Sequence, residues 1–309
     1  MDCVVTGGAG FIGSNLVDAL VERGDRVTIV DNLSTGKREN LHHALEGDAR
    51  LEVVDVRDRE ALARTFEAAR PELVFHLAAQ VDVRFSVEHP ARDAETNVLG
   101  TISVLEAAHR VDARRFVNSS TGGGLYGEAR LRPTPEDHVL TPLAPYGLAK
   151  LAAEGYCELY ARLHGLPTVS LRYGNVYGPR QNVHGEAGVV AIFCGCVLDG
   201  RRPTVFGDGR QTRDWVEVAD VVRANLLAAE ATLTGPLNIG TGHETSVLEL
   251  LEALNRGGAG DRLSQPEFAP ERPGEVRHSC LDPGRALAEL GWRSEVRLRN
   301  GLERILSGL

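Results

Sequence analysis

Lysine is almost absent from this 309-residue sequence. The 34 basic residues include only Lys37 and Lys150, so 34 minus 2, or 32, are arginine. The 43 acidic residues outnumber them and set the net charge at -9. A negatively charged chain has little non-specific attraction to nucleic acid or to an anionic membrane. The composition therefore favours a small-molecule partner, with no nucleic acid and no membrane.

Cysteine is scarce, and long apolar runs are missing. The five cysteines are dispersed along the chain: Cys3, Cys157, Cys194, Cys196 and Cys280. An odd, dispersed set predicts reduced core thiols rather than a disulfide framework. Cys194 and Cys196 would point to different faces of a helix, so we expect no metal site. No stretch of about 18 apolar residues occurs, and the first residues do not resemble a secretory leader, which leads us to expect a cytoplasmic protein.

A regular alternation of apolar runs and helical periodicity fills the first two thirds of the chain. This pattern is typical of βαβ units and a parallel sheet. We therefore expect an α/β fold, a Rossmann-type doubly wound parallel sheet with a smaller α/β substrate-binding lobe. The large domain is placed at residues 1–175 plus about 217–240, and the lobe at 176–216 plus about 241–309. Strands are expected near residues 2–6, 26–30, 51–55, 73–77, 115–119, 168–172 and 236–239.

Glycines follow the first expected strand. Gly7, Gly10 and Gly13 stand between that strand and the first expected helix. Such spacing allows a tight turn, a close approach to a pyrophosphate and an open helix N-terminus that binds phosphate. Asp31 ends the second expected strand, where its carboxylate can accept hydrogen bonds from an adenosine ribose and would repel a 2′-phosphate. The pattern predicts a site for NAD rather than NADP, the alternative being a glycine turn followed by a surface acid.

A tyrosine and a lysine stand four residues apart in a second motif. Tyr146 and Lys150 follow Pro145 at the start of an expected helix, so they lie on one helical face. Tyrosine is a poor base at neutral pH, since its reference pKa is about 10, but a nearby ammonium favours the phenolate. Such a pair in isolation is commonest on a solvated helix face. Its position after the fifth strand of an NAD domain favours a catalytic pair.

Together these motifs resemble the extended short-chain dehydrogenase/reductase family, in particular its branch of NAD-dependent epimerases and dehydratases that act on nucleotide sugars. The resemblance covers almost the whole chain. It rests on residues 7–13, 31–33, 55–56 and 76–79, on Asn97, on Tyr146 with Lys150, and on residues 172–179, 213–216, 238–242 and 272–275.

The resemblance implies a set of NAD-binding residues. They are Gly7, Gly10, Phe11, Ile12, Gly13, Asp31, Asn32, Ser34, Thr35, Gly36, Lys37, Asp55, Val56, Leu77, Ala78, Ala79, Asn97, Tyr146 and Lys150. Residues 31–37 would hold the adenosine end, residues 55–56 the adenine, and residues 77–79 the pyrophosphate and ribose. Asn97 would form the floor of the site. Lys150 would bind the nicotinamide ribose and depress the pKa of Tyr146.

The resemblance also implies substrate contacts in the smaller lobe. The matching residues are Asn175, Val189, Phe206, Arg213, Arg272 and Ser279. Arginine supplies the charge-assisted donors that a diphosphate needs, although either arginine taken singly fits a surface ion pair equally well. The partner expected from this set is a UDP-sugar.

The implied activity is 4-epimerisation of UDP-hexoses, with UDP-glucose and UDP-galactose as the expected pair. Tyr146 would remove the proton of the sugar 4-hydroxyl while the C4 hydride passes to NAD, giving a 4-keto sugar. The sugar would then turn, and the hydride would return to its opposite face. Binding energy is expected on the nucleotide, because the hexose must move.

One departure from the family concerns the hydroxyl that relays the proton. The family usually has Ser or Thr four residues before the tyrosine of a Tyr-Gly pair, whereas here Gly122 occupies that register and Thr121 comes one residue earlier. Either the Thr121 hydroxyl reaches the site, which we favour, or Tyr146 acts directly or through water. The related 4,6-dehydratases carry an Asp-Glu pair after the threonine. Gly122 and Gly123 cannot supply that acid and base chemistry, which disfavours a dehydratase.

A second departure concerns the width of the sugar site. Ser279 stands seven residues after Arg272, at the position of a family gatekeeper that is bulky in enzymes restricted to glucose and galactose. A small side chain there predicts that N-acetyl sugars, UDP-GlcNAc and UDP-GalNAc, are also accepted.

Two alternatives remain open from the sequence. A UDP-glucuronate 4-epimerase or decarboxylase would need a partner for the sugar carboxylate, for which Arg84 is a candidate. A catalytically silent NAD-binding sensor would bind the cofactor without turnover. The resemblance further implies a homodimer whose paired helices include residues 97–110 and the helix after Tyr146.

Overall fold

A computed structural model describes residues 1–182, 188–259, 263, 265–271 and 276–307. Its strands are β1 (Asp2–Thr6), β2 (Arg26–Asp31), β3 (Ala49–Val53), β4 (Leu73–His76), β5 (Arg115–Thr121), β6 (Thr168–Tyr173), β7 (Asn175–Tyr177), β8 (Thr204–Phe206), β9 (Thr212–Arg213), β10 (Trp215–Glu217), β11 (Gly235–Ile239), β12 (Thr245–Ser246) and β13 (Glu267–Ala269).

The helices alternate with these strands in the first half of the chain. They are α1 (Phe11–Glu22), α2 (His42–Leu45), α3 (Arg59–Ala69), α4 (Val83–Glu88), α5 (Pro90–Ala94), α6 (Gly100–Arg110), α7 (Gly122–Leu125), α8 (Pro145–His164), α9 (Val189–Asp199), α10 (Val218–Glu230), α11 (Val247–Leu254), α12 (Gly284–Leu290) and α13 (Leu298–Ser307). A 3₁₀ turn spans Arg38–Leu41, and π-helical turns span Glu95–Leu99 and Asn255–Ala259.

Seven strands form one sheet in the order β11-β6-β5-β4-β1-β2-β3. β1 pairs in parallel with β2 and β4, β2 with β3, and β4 with β5. The chain therefore builds the sheet outward in both directions from β1 and β4, and the carboxyl ends of these two strands flank the point where the strand order reverses. In open α/β sheets ligands bind at that point. The predicted Rossmann-type parallel sheet is confirmed, including the return of β11 to it.

The strands differ from expectation mainly at their ends. β3 ends at Val53, two residues before the expected end, because the Asp55 Oδ1 accepts a hydrogen bond from the Arg57 amide at 2.9 Å and turns the chain away. β5 extends two residues beyond its expected end, to Thr121. That extension brings Thr121 to the carboxyl edge of the sheet.

The chain divides into two compact units. The first comprises Met1–Thr121, Ala144–Arg172 and Val222–Leu237, and the second comprises Gly122–Leu143, Tyr173–Val221 and Asn238–Leu309. The expected boundaries differ in one large segment, residues 122–143, which we placed in the first domain. Those residues join the second unit because Thr134 exchanges backbone hydrogen bonds with Cys280 and Asp282, and Tyr126 Oη donates to Asn238 Oδ1 at 2.8 Å.

Each unit has its own apolar core. In the first, Phe66, Leu105 and Phe116 are fully buried beside the sheet, and in the second Leu250 and Leu302 are fully buried. All five cysteines are buried free thiols, as the sequence predicts. None of the helices in the described part of the chain has the length and hydropathy needed to cross a membrane.

Candidate active site

The loop between β1 and α1 packs tightly against the segment after β4. Gly7 has a φ of +70°, and a Cβ there would lie 2.5 Å from the Ala78 nitrogen and 2.7 Å from the Leu77 carbonyl carbon. A Cβ on Gly13 would lie 2.1 Å from the Gly7 carbonyl oxygen. Side chains are therefore excluded at both positions. Gly10 is less constrained, since its Cβ would meet the same oxygen at 3.2 Å.

Helix α1 begins without a cap. Its N-cap residue, Gly10, is extended and forms no side-chain cap, and no acidic residue occurs in the first turn. The amides of Phe11, Ile12 and Gly13 have no acceptor within the helix, because the first N–H groups of any α-helix lack one. Together with the positive end of the helix dipole, they provide a site for a phosphate group.

Asp31 ends β2 and organises the loop that follows. Its Oδ2 accepts a hydrogen bond from the Ala9 amide at 2.9 Å, and its Oδ1 accepts one from the Leu33 amide at 2.8 Å. A Cβ on Gly36 would lie 2.9 Å from both carboxylate oxygens, so glycine lets the loop pass close to Asp31. Each carboxylate oxygen has two lone pairs. Asp31 can therefore still accept hydrogen bonds from ribose hydroxyls.

The remaining polar residues of this loop face solvent. The side chains of Asn32, Ser34, Thr35 and Lys37 are at least partly exposed. The Lys37 amide donates to the Ala9 carbonyl at 3.0 Å, which ties the end of the loop to the glycine-rich turn. Nothing in these contacts requires lysine rather than arginine at position 37.

The Asp55 carboxylate is already occupied by neighbouring groups. Oδ1 accepts from the amide and Nε of Arg57, both at 2.9 Å, and Oδ2 accepts from Arg57 Nη2 and Asn32 Nδ2, both at 2.8 Å. The Arg57 guanidinium holds the pKa of Asp55 well below its usual range. An adenine amino group would have to displace one of these four donors. The adjacent Val56 is buried.

Asn97 lies in the π-helical turn before α6 and holds the segment after β4. Its Oδ1 accepts from the Gln80 amide and its Nδ2 donates to the Gln80 carbonyl, both at 2.9 Å. Nδ2 also donates to Asp93 Oδ1 at 3.0 Å. The expected floor residue therefore acts on the chain just beyond Leu77, Ala78 and Ala79, rather than presenting a free amide.

Tyr146 occupies the first turn of α8, which begins at Pro145 and receives no side-chain cap. Its backbone amide donates to Ser86 Oγ at 3.1 Å, and its hydroxyl is hydrogen-bonded to the hydroxyl of Thr121. Of the two alternatives left open by the sequence, the geometry favours the one in which Thr121 reaches the tyrosine. The neighbouring Gly122 is not involved.

The expected depression of the Tyr146 pKa is not found. Burial, and to a smaller extent the Asp93 carboxylate, raise the pKa of Tyr146 to about 12, although the hydrogen bond with Thr121 acts to lower it. Spacing along the helix places Lys150 one turn away, but spacing does not show the degree of burial that opposes the phenolate.

Lys150 is buried one turn further along α8. Its Nζ donates to the Ser119 carbonyl at 3.0 Å, and the residue is 5% exposed. Burial lowers the pKa of Lys150 to about 8. The ammonium therefore titrates close to neutral pH, unlike an exposed lysine, whose pKa is about 10.4.

A buried ion pair that the sequence did not predict lies one turn beyond Lys150. Glu154 lies within hydrogen-bond distance of Ser120 Oγ at 2.5 Å and of Arg172 Nη2 at 2.8 Å, and the two charged side chains are 4% exposed. Three consecutive residues of β5, 119–121, are thus hydrogen-bonded to Lys150, Glu154 and Tyr146 in that order, and these three α8 residues are spaced four apart. The i, i+4, i+8 spacing of Tyr146, Lys150 and Glu154 was a signal that could have revealed this row.

In the second unit, a small-residue surface forms beside the residues that resemble the sugar site. A Cβ on Gly123 would lie 3.6 Å from Ser279 Oγ and 3.9 Å from Asn175 Oδ1. A Cβ on Gly122 would instead lie 2.4 Å from a methyl carbon of the buried Leu281. Leu281 thus fills the space in which the family's usual relay side chain would begin, which explains why position 122 is glycine.

The other expected substrate residues lie at the ends of short elements of the second unit. Asn175 begins β7, Val189 begins α9, Phe206 ends β8 and Arg213 ends β9, and all four are half-buried. Arg213 Nη1 donates to the Thr212 carbonyl at 2.8 Å. Arg272 lies outside the described residues.

Three features of the first unit show that a dinucleotide fits it. The contacts at Gly7 and Gly13 keep side chains out of the turn, α1 offers uncapped amides, and Asp31 retains acceptor capacity at the end of β2. This combination fits a dinucleotide pyrophosphate and ribose. The fold and the site define a Rossmann-type dinucleotide-binding protein that carries a Tyr-Lys pair, with the tyrosine half-buried and the lysine buried.

Comparison with known proteins identifies the family. The chain belongs to the NAD dependent epimerase/dehydratase family, which it matches over residues 3–240. It is 45% identical to the UDP-glucose 4-epimerase of Mycolicibacterium smegmatis, over 98% of this chain and 96% of that protein.

Solved structures agree with the sequence comparison. The UDP-glucose 4-epimerase of Thermotoga maritima, crystallised with UDP-glucose, is 48% identical with a TM-score of 0.95, covering 99% of this chain and 98% of that chain. The Thermus thermophilus UDP-glucose 4-epimerase in complex with NAD is 43% identical with a TM-score of 0.91, again covering 99% and 98%.

Proposed function

We propose that this chain is an NAD-dependent UDP-hexose 4-epimerase that interconverts UDP-glucose and UDP-galactose. The observation that carries the proposal is the hydrogen-bonded Thr121 and Tyr146 hydroxyl pair, one turn from Lys150, at the carboxyl edge of the sheet. Relatives that share 43–48% identity over nearly the whole chain carry the name UDP-glucose 4-epimerase, which supports the same reaction.

Three side chains of the first unit have roles in the proton chemistry. NAD, when bound, supplies the acceptor for the sugar C4 hydride and then returns it. Tyr146 takes the proton of the 4-hydroxyl and gives it back, and Thr121 hydrogen-bonds the phenol oxygen so that the proton moves along a fixed path. Because burial opposes the phenolate, Tyr146 needs positive charge close by, and we assign that role to the Lys150 ammonium, one turn along α8.

NAD is assigned to the residues whose geometry fits it. The pyrophosphate is assigned to the turn at Gly7, Gly10 and Gly13 and to the α1 amides, and the adenosine ribose to Asp31. Lys150 is assigned to the nicotinamide ribose. Asp55 and Asn97 are assigned supporting roles, since their polar groups already bind protein atoms.

The second unit is assigned the nucleotide of the substrate. Phe206 offers a half-buried aromatic face and Arg213 a guanidinium for the diphosphate, with Asn175, Val189 and Arg272 assigned by resemblance. Gly123 and Ser279 together leave space that a larger gatekeeper would fill. We therefore propose that the enzyme also epimerises UDP-GlcNAc and UDP-GalNAc.

The assembly and location are also proposed. Leu99, Leu148 and Leu163 are 56%, 61% and 67% exposed on the segments that the resemblance assigns to a dimer. A contiguous apolar patch marks an association surface, and we propose that these leucines belong to such a patch in a homodimer, to be checked by light scattering. Five buried free thiols fit a reducing compartment, the cytoplasm.

A substrate panel tests the proposed reaction against its alternatives. The protein is incubated with UDP-galactose, UDP-N-acetylgalactosamine and UDP-glucuronate, and the products are separated by chromatography. The proposal expects 4-epimers from the first two. Conversion of UDP-glucuronate alone would favour the glucuronate enzymes and a role for Arg84. Cofactor binding without any turnover would identify a sensor.

A further inference from the structure

The side chain of Asp214 receives hydrogen bonds from two separate segments of the second unit. It is 0% exposed. Its Oδ1 accepts from the Thr241 amide at 2.7 Å and from the Thr241 hydroxyl at 2.6 Å. Its Oδ2 accepts from the amides of Leu281 at 3.1 Å and Gly242 at 3.2 Å. A Cβ on Gly240 would lie 2.4 Å from Oδ2, so glycine at that position lets the chain approach the carboxylate.

The hydrogen bonds to Oδ2 do not depend on the ionisation of Asp214. Burial raises the pKa of Asp214 in spite of its four donors. A carboxyl oxygen accepts hydrogen bonds in the neutral as well as the ionised form. Oδ2 therefore binds the Leu281 and Gly242 amides in both states, and the geometry alone carries the argument.

A short parallel ladder begins beside β9. The Thr212 amide donates to the Arg277 carbonyl at 2.9 Å, and the Thr212 carbonyl accepts from the Ser279 amide at 3.2 Å. In a regular parallel ladder the bonds are evenly spaced, so the next one would join the Leu281 amide to the Asp214 carbonyl.

The Asp214 carbonyl is already used by another pair of strands. It accepts from the Asn175 amide at 2.7 Å, which begins the parallel pairing of β7 with β10. The carboxylate takes the Leu281 amide in place of the carbonyl. One residue therefore forms a junction between two ladders, of which one begins at Asn175 and the other carries Ser279.

Both ladders carry residues of the proposed sugar site. A Cβ on Gly123 would lie 3.6 Å from Ser279 Oγ and 3.9 Å from Asn175 Oδ1, so these two side chains face the same small space. Arg213, which we assign to the diphosphate, directly precedes Asp214. We propose that Asp214 is a positioning residue that fixes Ser279 relative to Asn175 and thereby sets the width of the sugar site. This role in specificity rests on the proposed function, whereas the junction itself does not.

Hydrogen exchange tests the junction without any assay of activity. D214A removes the acceptor of the Leu281 amide but leaves the backbone bond to Asn175. Exchange measured by mass spectrometry should become about tenfold faster or more in peptides that contain Leu281, and stay unchanged in peptides from β7. Equal exchange of D214A and the wild type at Leu281 would overturn the proposal.

A conservative variant and a second deletion variant make the exchange test specific. D214N should largely restore slow exchange, because its oxygen can stay on the Leu281 amide while its nitrogen donates to the Thr241 hydroxyl. D214S, in which a water can occupy the vacated space, replaces D214A in the comparison if D214A does not fold. Exchange as fast in D214N as in the deletion variant would also contradict the junction.

Substrate selectivity connects the junction to the sugar site. S279Y is compared with S279Y combined with D214A, using the ratio of kcat/KM for UDP-N-acetylgalactosamine to that for UDP-galactose. Release of the segment should raise this ratio about tenfold or more, whereas a general loss of activity would leave it unchanged. D199A removes a carboxylate of α9 that is 42% exposed and serves as the matched control, with no change in the ratio.

Two outcomes separate the failure of this proposal from the failure of the proposed function. An unchanged ratio in the double variant would contradict the role of Asp214 in setting the width of the site. Wild-type protein without turnover would refute the epimerase function, and the exchange measurement at Leu281 would still decide whether Asp214 forms the junction.

Discussion

Replacing Arg172 by methionine tests the anchoring of α8 to the sheet. The Arg172 guanidinium lies 3.0 and 3.2 Å (Nε) and 2.8 Å (Nη2) from the oxygens of Glu154, and both side chains are 4% exposed. R172M removes the guanidinium and leaves the Glu154 carboxylate buried without its cation. Loss of one partner from a buried ion pair costs about 3–5 kcal/mol. That is a large share of the roughly 5–15 kcal/mol that stabilises a typical protein.

The same substitution is expected to reduce turnover. Glu154 is held one turn beyond Lys150, and Ser120 stands beside the residues that contact Lys150 and Tyr146. A displacement of about 1 Å at a reacting group can lower the rate about 100-fold. Urea denaturation and kcat for UDP-galactose measure the two effects.

A matched control and a rescue variant make this prediction specific. R299M breaks an exposed pair with Glu303 on α13, where the side chains are 73% and 42% exposed, and should change stability by less than about 1 kcal/mol. R172M combined with E154Q removes both charges and should recover part of the lost stability. If R172M were as stable as R299M, the buried pair would not anchor α8.

Three further substitutions address single groups of the proposed site. T121V keeps the side-chain shape but removes the Thr121 hydroxyl that is hydrogen-bonded to Tyr146. The kcat should fall by about 100-fold or more with little change in KM, whereas an unchanged kcat would exclude Thr121 as the relay. K150R keeps the positive charge but places a planar guanidinium in a buried space, so turnover should drop. The basic limb of the pH profile should also move upward from the lysine pKa of about 8. Full activity of K150R would contradict the assignment. S279Y fills the space beside Gly123 and should abolish turnover of the N-acetyl sugars while sparing UDP-galactose, and equal losses on both would refute the gatekeeper role.

Sequence patterns predicted the features that depend on local spacing. The seven strands, the glycine turn and the position of Asp31 follow from residue periodicity, because parallel strands and a phosphate-binding turn impose strict patterns on the chain. Asp55 and Asn97 were assigned from resemblance as cofactor residues. The structure adds that Arg57 and Gln80 already bind their polar groups, which spacing alone does not show.

The features that sequence reasoning missed depend on burial and on contacts between distant segments. Lys150 was expected to lower the pKa of Tyr146, but the desolvation of the phenol opposes it, and desolvation depends on packing by residues far apart in the chain. Asp93 and Glu154 looked like ordinary helical acids. Only the fold shows that Asp93 is fully buried and that Glu154 meets Arg172.

The fate of the hydrogen at C4 tests the central claim most directly. UDP-galactose carrying deuterium at C4 is incubated with the protein and with Y146F, and the UDP-glucose formed is analysed by mass spectrometry and NMR. Transient oxidation with return of the same hydride predicts that the wild-type product keeps deuterium at C4, and that Y146F forms almost no product. Loss of the deuterium to solvent, or undiminished turnover by Y146F, would contradict the account.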